Sequence, residues 1–158
     1  TYDYTDAVGA LVYQVVRYDW DDPSNPKGHS KNFRQRQPDP AKPRGWNWKV
    51  KGLPPLPYRL PEIIEAVGQG YTVFIVEGEK KADLLAEQGV PATCNSGGAG
   101  KFAGELVEHF RGAHVVILPD LPARLRDGFL AAAQGLATAV VDGRDAQGSF
   151  VAMNNVVS

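Results

Sequence analysis

The stretch TVFIVEGEKKADLL, residues 72–85, constrains this chain more than any other part of it. TVFIV is a short, largely apolar run of the kind that forms a central parallel strand covered on both faces. It stops on Glu77 and Glu79, split by Gly78, and enters a helical pattern with apolar positions at Ala82, Leu85 and Ala86, closed by Gly89. The alternation continues through a short strand at VPATC, a helix over 101–110, and a buried strand at HVVIL. A helix near 125–136 and a last strand at TAVVDG follow. Alternating units of this sort build a parallel sheet with helices on both faces, and ligands then sit at the carboxyl ends of the strands.

The front of the chain reads differently. YDYTD and ALVYQVVRYDW form a hairpin around a turn at Ala7–Gly9. DDPSNPKGHS is a loop by composition, and KNFRQRQ and GWNWKVKG are two further strands separated by PDPAKPR. GLPPLPYRLPEII carries four prolines and admits a helix only from Pro61, a first-turn residue. The expected organisation is a β-rich basic segment over 1–60 and an α/β domain over 61–158.

Charge follows the same division. Residues 1–60 hold ten Lys and Arg against six Asp, whereas 61–158 hold seven basic residues against twelve acidic. A basic front half beside an acidic back half suits a polyanion partner with cations near the acids, although a polar loop region carrying arginines has the same composition. A single cysteine, Cys94, rules out a disulfide framework and a CxxC zinc site, so a reducing, cytoplasmic setting is expected. No charged-then-apolar leader and no apolar run near 18 residues occurs, which argues against secretion and membrane spanning. The start at TYDYT, without methionine, suggests a piece of a larger protein.

Glu77 and Asp120 both fall at the ends of expected parallel strands. Carboxylates held a few ångströms apart repel, and a shared divalent cation relieves the repulsion. A magnesium so held takes further ligands from water and substrate phosphates, as in metal-assisted phosphoryl transfer. Gly78 lets a ligand approach the backbone, and Lys80 starts a helix whose amino terminus favours anions. The same two acids also serve simply as strand ends and helix caps, and spacing does not separate these roles. NSGGAGKF fails the P-loop pattern, with Asn95 at the first glycine and Phe102 after Lys101. It does match G-x-G-x-x-A from Gly98 through Gly100 to Ala103, a dinucleotide-binding alternative. In the basic segment, Arg34, Arg36 and Lys49 are candidate phosphate contacts, and Trp46 and Trp48 candidate base-stacking or core residues. His29 lies in a loop with no partner spacing, His109 and His114 flank a helix-to-strand turn and read as structural, and no nucleophile triad is recognisable.

FIVEGEKKADLL, NSGGAGKF and VVILPD together resemble the Toprim domain, in particular the version in primases and primase-helicases of phages, plasmids and other mobile elements. YQVVRYD, KNFRQRQP, GWNWKVKG and PYRLPEII are similar to the segment those proteins carry before it. The resemblance covers residues 2–120 and implies a compact, mainly parallel sheet flanked by helices. It implies magnesium- or manganese-dependent nucleotidyl transfer, making RNA primers on single-stranded DNA from nucleoside triphosphates. Glu77 would be metal ligand or general acid/base, Asp120 a metal ligand, and Gly78, Lys80, Gly98, Gly100 and Lys101 the phosphate-binding set. It also implies zinc-ribbon and helicase domains elsewhere in a larger protein. The sequence departs from the family pattern at two expected acids, where it has Lys81 and Pro122. A lysine for a carboxylate changes local charge by two units and supplies an internal cation, so metal affinity is expected to fall. A nucleic-acid- or nucleotide-binding module that keeps the fold without the metal is the alternative.

Overall fold

A computed structural model of the chain describes residues 1–97, 104–118 and 150–152. Among the described residues the fold is mixed α/β, with one antiparallel and one parallel sheet of four strands each. In the antiparallel sheet β1 (Tyr2–Thr5), β2 (Leu11–Asp21), β3 (His29–Pro38) and β4 (Trp46–Asn47) lie side by side in chain order. Asp6 makes the first turn by accepting from the amides of Val8 and Ala10, with Gly9 at positive φ. Asp22 organises the second by accepting from Ser24 and Ser30. The expected strand GWNWKVKG is shortened to β4, because the chain bends at Trp48, where Asn47 Oδ1 accepts from the Lys49 amide, and turns again at Gly52 with φ 87°.

In the parallel sheet the order is β6 (Ala92–Thr93), β5 (Thr72–Ile75), β7 (His114–Ile117) and β8 (Phe150–Ala152). Thr72 to Ile75 pair with His114 to Ile117, and Phe74 with Ala92. Strand β8 lies in the segment GRDAQGSFVAMNNVVS, where no strand is expected from sequence, while the expected strand TAVVDG and the 125–136 helix fall outside the described residues. Helix α1 (Leu60–Gly68) carries the predicted Pro61 in its first turn, and α2 (Glu79–Ala86) follows β5. The expected helix over 101–110 is described from Gly104, and Gly104–Phe110 is a 3-10 helix.

Side-chain alternation along β5 divides the core in two. Val73 and Ile75, with Val115, pack against Ile63 and Ala66 of α1 and against Leu106 and Phe110. Phe74 and Val76, with Val116, pack against Ala82 and Leu85 of α2. That second cluster also takes in Tyr4, Tyr13 and Val15 from the antiparallel sheet and Leu56, Tyr58 and Leu60 from the proline-rich connection. One continuous core therefore contains buried side chains from both sides of residue 60. The connection is pinned to β6 by backbone and side-chain bonds, Tyr58 N–H to Cys94 O and Thr93 Oγ1 to Tyr58 O.

Candidate functional site

The strand order β6-β5-β7 reverses direction between β5 and β7, and the crevice beyond the carboxyl ends of such a pair is where open α/β sheets bind ligands. The strand ends are level there: the amide of Leu118 donates to Ile75 O at 2.8 Å, and that of Val76 to Thr93 O at 2.8 Å. Glu77 stands at this rim, 36% exposed. Gly78 has extended backbone that any residue adopts, and a Cβ there would meet no atom of the described residues within 4 Å beyond its chain neighbours. Among the described residues nothing requires glycine at 78, and the space beside the first turn of α2 would take a side chain. Lys80, exposed, occupies that turn. Asp120, Pro122, Gly98, Gly100 and Lys101 lie outside the described residues, so the structure does not place them against Glu77.

Lys81 is brought to Glu77. Its Nζ lies 3.3 Å from Glu77 Oε2, an i,i+4 pair in which Lys81 is 44% exposed. The chain thus carries its own cation on the rim carboxylate. The neighbouring acids do not join Glu77. Glu79 is buried, 8% exposed, and accepts a 2.9 Å hydrogen bond from Tyr4 Oη. Asp83 accepts from Tyr58 Oη at 3.0 Å and from Arg59 Nη1 at 3.3 Å. Among the described residues no three His, Cys, Asp or Glu side chains converge as metal ligands. One half-exposed carboxylate already paired with an ammonium is a poor fit for magnesium, and the described residues alone do not make a metal site.

Behind the rim lies a buried tyrosine cluster. Tyr4 stacks on Tyr13 with ring centroids 4.6 Å apart, meets Tyr58 at 5.3 Å, and approaches Cys94 Sγ at 3.8 Å. Burial, reinforced by the Glu79 carboxylate, pushes the Cys94 thiol far up, so it is held protonated and is no nucleophile. The antiparallel sheet reaches the start of the glycine-containing loop, where Gln35 Nε2 donates to Ser96 O at 3.4 Å. A dinucleotide fingerprint sets its pyrophosphate on an α-helical amino terminus. The described part of the following segment is 3-10, with poorer hydrogen-bond alignment, and lends that alternative no support.

Arg34, Arg36, Trp46 and Trp48 come together on one face of the antiparallel sheet. Gln14 pairs with Arg36 and Val16 with Arg34 across β2 and β3, and Pro38 with Trp46 across β3 and β4. The Arg36 guanidinium lies 3.9 Å over the Trp46 ring, and its Nε donates to Gln14 Oε1 at 2.8 Å. Arg34 lies 5.0 Å over Trp48. Lys49 is exposed beside them, its backbone carbonyl accepting from Gln37. Sequence reasoning missed Tyr18 and Trp20, which pair with Asn32 and Ser30 and so extend the same face; both are exposed, Trp20 at 48%. Their signal was the two-residue spacing Val16, Tyr18, Trp20, which puts all three on one side of a strand. His29 contacts its own loop at Lys27 O, and His109 and His114 sit on the 3-10 segment and β7, apart from the rim residues described above.

Compared with known proteins, the chain matches no family model, no curated protein and no solved structure.

Proposed function

We propose that the chain is a Toprim-like module of a DNA primase-like replication protein, and that in this chain the strand-end rim binds nucleotide or nucleic-acid phosphate with Lys81 taking the place of a metal. The observation that carries this reading is the 3.3 Å contact between Lys81 Nζ and Glu77 Oε2. The four positions Glu77, Lys81, Asp120 and Pro122 hold a formal charge of −1, against −4 for four carboxylates. Attraction for a divalent cation falls accordingly, while repulsion of phosphate falls with it. Exposed Lys80 and the amino terminus of α2, which has no side-chain cap, then favour an anion directly.

A catalytic reading, magnesium-dependent primer synthesis with Glu77 and Asp120 as ligands, is favoured by the level ends of β5 and β7 at the switch point. Thermal shift with magnesium or manganese, with and without nucleoside triphosphate, separates the two. Metal-independent stabilisation by nucleotide in the parent chain, and a new manganese response in Lys81→Glu, are the results expected of the binding module. A saturable manganese response of the parent chain, abolished by both Glu77→Gln and Asp120→Asn, would replace it with the catalytic reading.

A further inference from the structure

From Val16 to Pro55 no side chain is buried, although this stretch supplies most of β2 and all of β3 and β4. It holds nine Lys and Arg against four Asp, and all three tryptophans of the chain. A two-stranded ribbon is marginal in water unless one face is packed, and a buried aromatic side chain removes roughly 150–250 Å² from solvent. The inner face meets that need only near its base, through Tyr13 and Val15. The outer face leaves Tyr18 42%, Trp20 48% and Trp48 40% exposed.

We propose that this outer face is a stacking platform for single-stranded nucleic acid, with Tyr18 and Trp20 as base-stacking residues and Arg34 and Arg36 as phosphate contacts. The proposal rests on the nucleic-acid part of the reading above and is independent of the metal question. Three features select this occupant. Its charge is complementary, because Arg34 and Arg36 stand on the face of Tyr18 and Trp20 while Asp19 and Asp21 alternate to the other side of β2, in a stretch that carries a net +5 overall. Its cations are interleaved with rings: Arg34 and Arg36 lie over Trp48 and Trp46, which fixes both arginines on the surface while leaving guanidinium N–H groups for phosphate oxygens. Its spacing also suits a single strand. Tyr18 and Trp20 are two residues apart on one strand, about 6.8 Å, twice the roughly 3.4 Å per-strand rise of a duplex. Bases resting on both rings must therefore be unstacked from each other, which a paired duplex resists and a single strand permits.

The test is titration of the full chain with an unstructured oligothymidylate and with a hairpin duplex of equal length. Tryptophan fluorescence and anisotropy of the labelled DNA are followed together. Saturable quenching by the single strand and much weaker binding of the duplex are expected. Tyr18→Ala and Trp20→Ala should each weaken single-strand binding roughly 5- to 100-fold, with Trp20→Phe retaining most of it. Arg34→Gln should lower the slope of log affinity against log salt by about 0.7. Val8→Ala, exposed in the first turn, is the control, and unchanged thermal midpoints show that the variants fold. Equal affinity for duplex, or alanine variants that bind as the parent does while the arginine variants do not, would reduce the face to simple electrostatics and overturn the platform. Absence of any DNA binding in a chain that still binds nucleotide would also overturn it, leaving the strand-end reading intact and assigning the face to a protein partner.

Discussion

Tyr4, on the first strand, donates a 2.9 Å hydrogen bond to Glu79 at the start of α2, 75 positions along the chain. Both residues are buried, so the bond is made where water does not compete. It fixes the antiparallel sheet to the helix that begins at the candidate site. Removing the hydroxyl leaves Glu79 with less than it needs in a low-dielectric setting. Tyr4→Phe keeps the ring stacking on Tyr13 and is expected to cost about 1.5–3 kcal/mol, the range for a bond to a charged acceptor. Urea unfolding measures this, and a loss below half a kcal/mol would mean that Glu79 finds another partner.

The same cluster sets an alkaline limit. Burial first, then the Glu79 carboxylate, raises the Cys94 thiol; burial first raises Tyr4, and burial followed by the bond to Asp83 raises Tyr58. Each folded-state group stays protonated while its unfolded counterpart ionises near its ordinary value, 9.0 for cysteine and 10.0 for tyrosine. The folded chain then binds more protons than the unfolded one, so the stabilisation is complete below pH 9.0 and declines above it. The decline is up to about 1.4 kcal/mol per pH unit for each group. A urea midpoint that stays level while pH is raised well past the tyrosine range would contradict the burial of these rings. Cys94→Ala should delay the onset, leaving the tyrosine part.

Much of the parallel sheet was legible because its strands are unbroken apolar runs. TVFIV and HVVIL read as buried on both faces, and each supplies alternate side chains to both halves of the core. The start of α1 was legible in Pro61, and the Lys81–Glu77 pair in its four-residue spacing. What sequence did not disclose is long-range. Tyr4 and Tyr13 resemble surface tyrosines until Glu79, Cys94 and Leu56 close over them, and no local pattern encodes a contact 75 residues away. Strand β8 has three residues, too few for periodicity to register. Along β2 the alternation gives two faces but not which one meets the core, so the exposure of Tyr18 and Trp20 follows only from the packing of Tyr13 and Val15.

Neighbouring isoleucines on α1 offer a sharp test of the second core half. Ile63 is 1% exposed and packs toward Val73 and Phe110, whereas Ile64 is 42% exposed. Ile63→Ala should cost about 2–5 kcal/mol through lost transfer energy and an unfilled cavity. Ile64→Ala should stay within about 0.5 kcal/mol. Chemical denaturation of both variants checks the pair, and equal losses would show that α1 is rotated about its axis from the packing described.

Arg59 sets two opposing effects against each other. It precedes α1 at φ 60°, in the left-handed region that costs a non-glycine residue about 1–2 kcal/mol. Its side chain meets Glu62 at 3.2 Å and Asp83 at 3.3 Å, and with all three groups partly exposed each pair contributes at most about 1 kcal/mol. Arg59→Gly relieves the backbone and removes both pairs, so the expected change is within about 1 kcal/mol of zero. Arg59→Ala removes the pairs and keeps the strained backbone, and is expected to be less stable than the glycine variant by about 1 kcal/mol. Thermal unfolding of the two variants side by side reads the difference directly. If alanine proves the more stable, residue 59 does not hold a left-handed conformation and the entry into α1 is built differently.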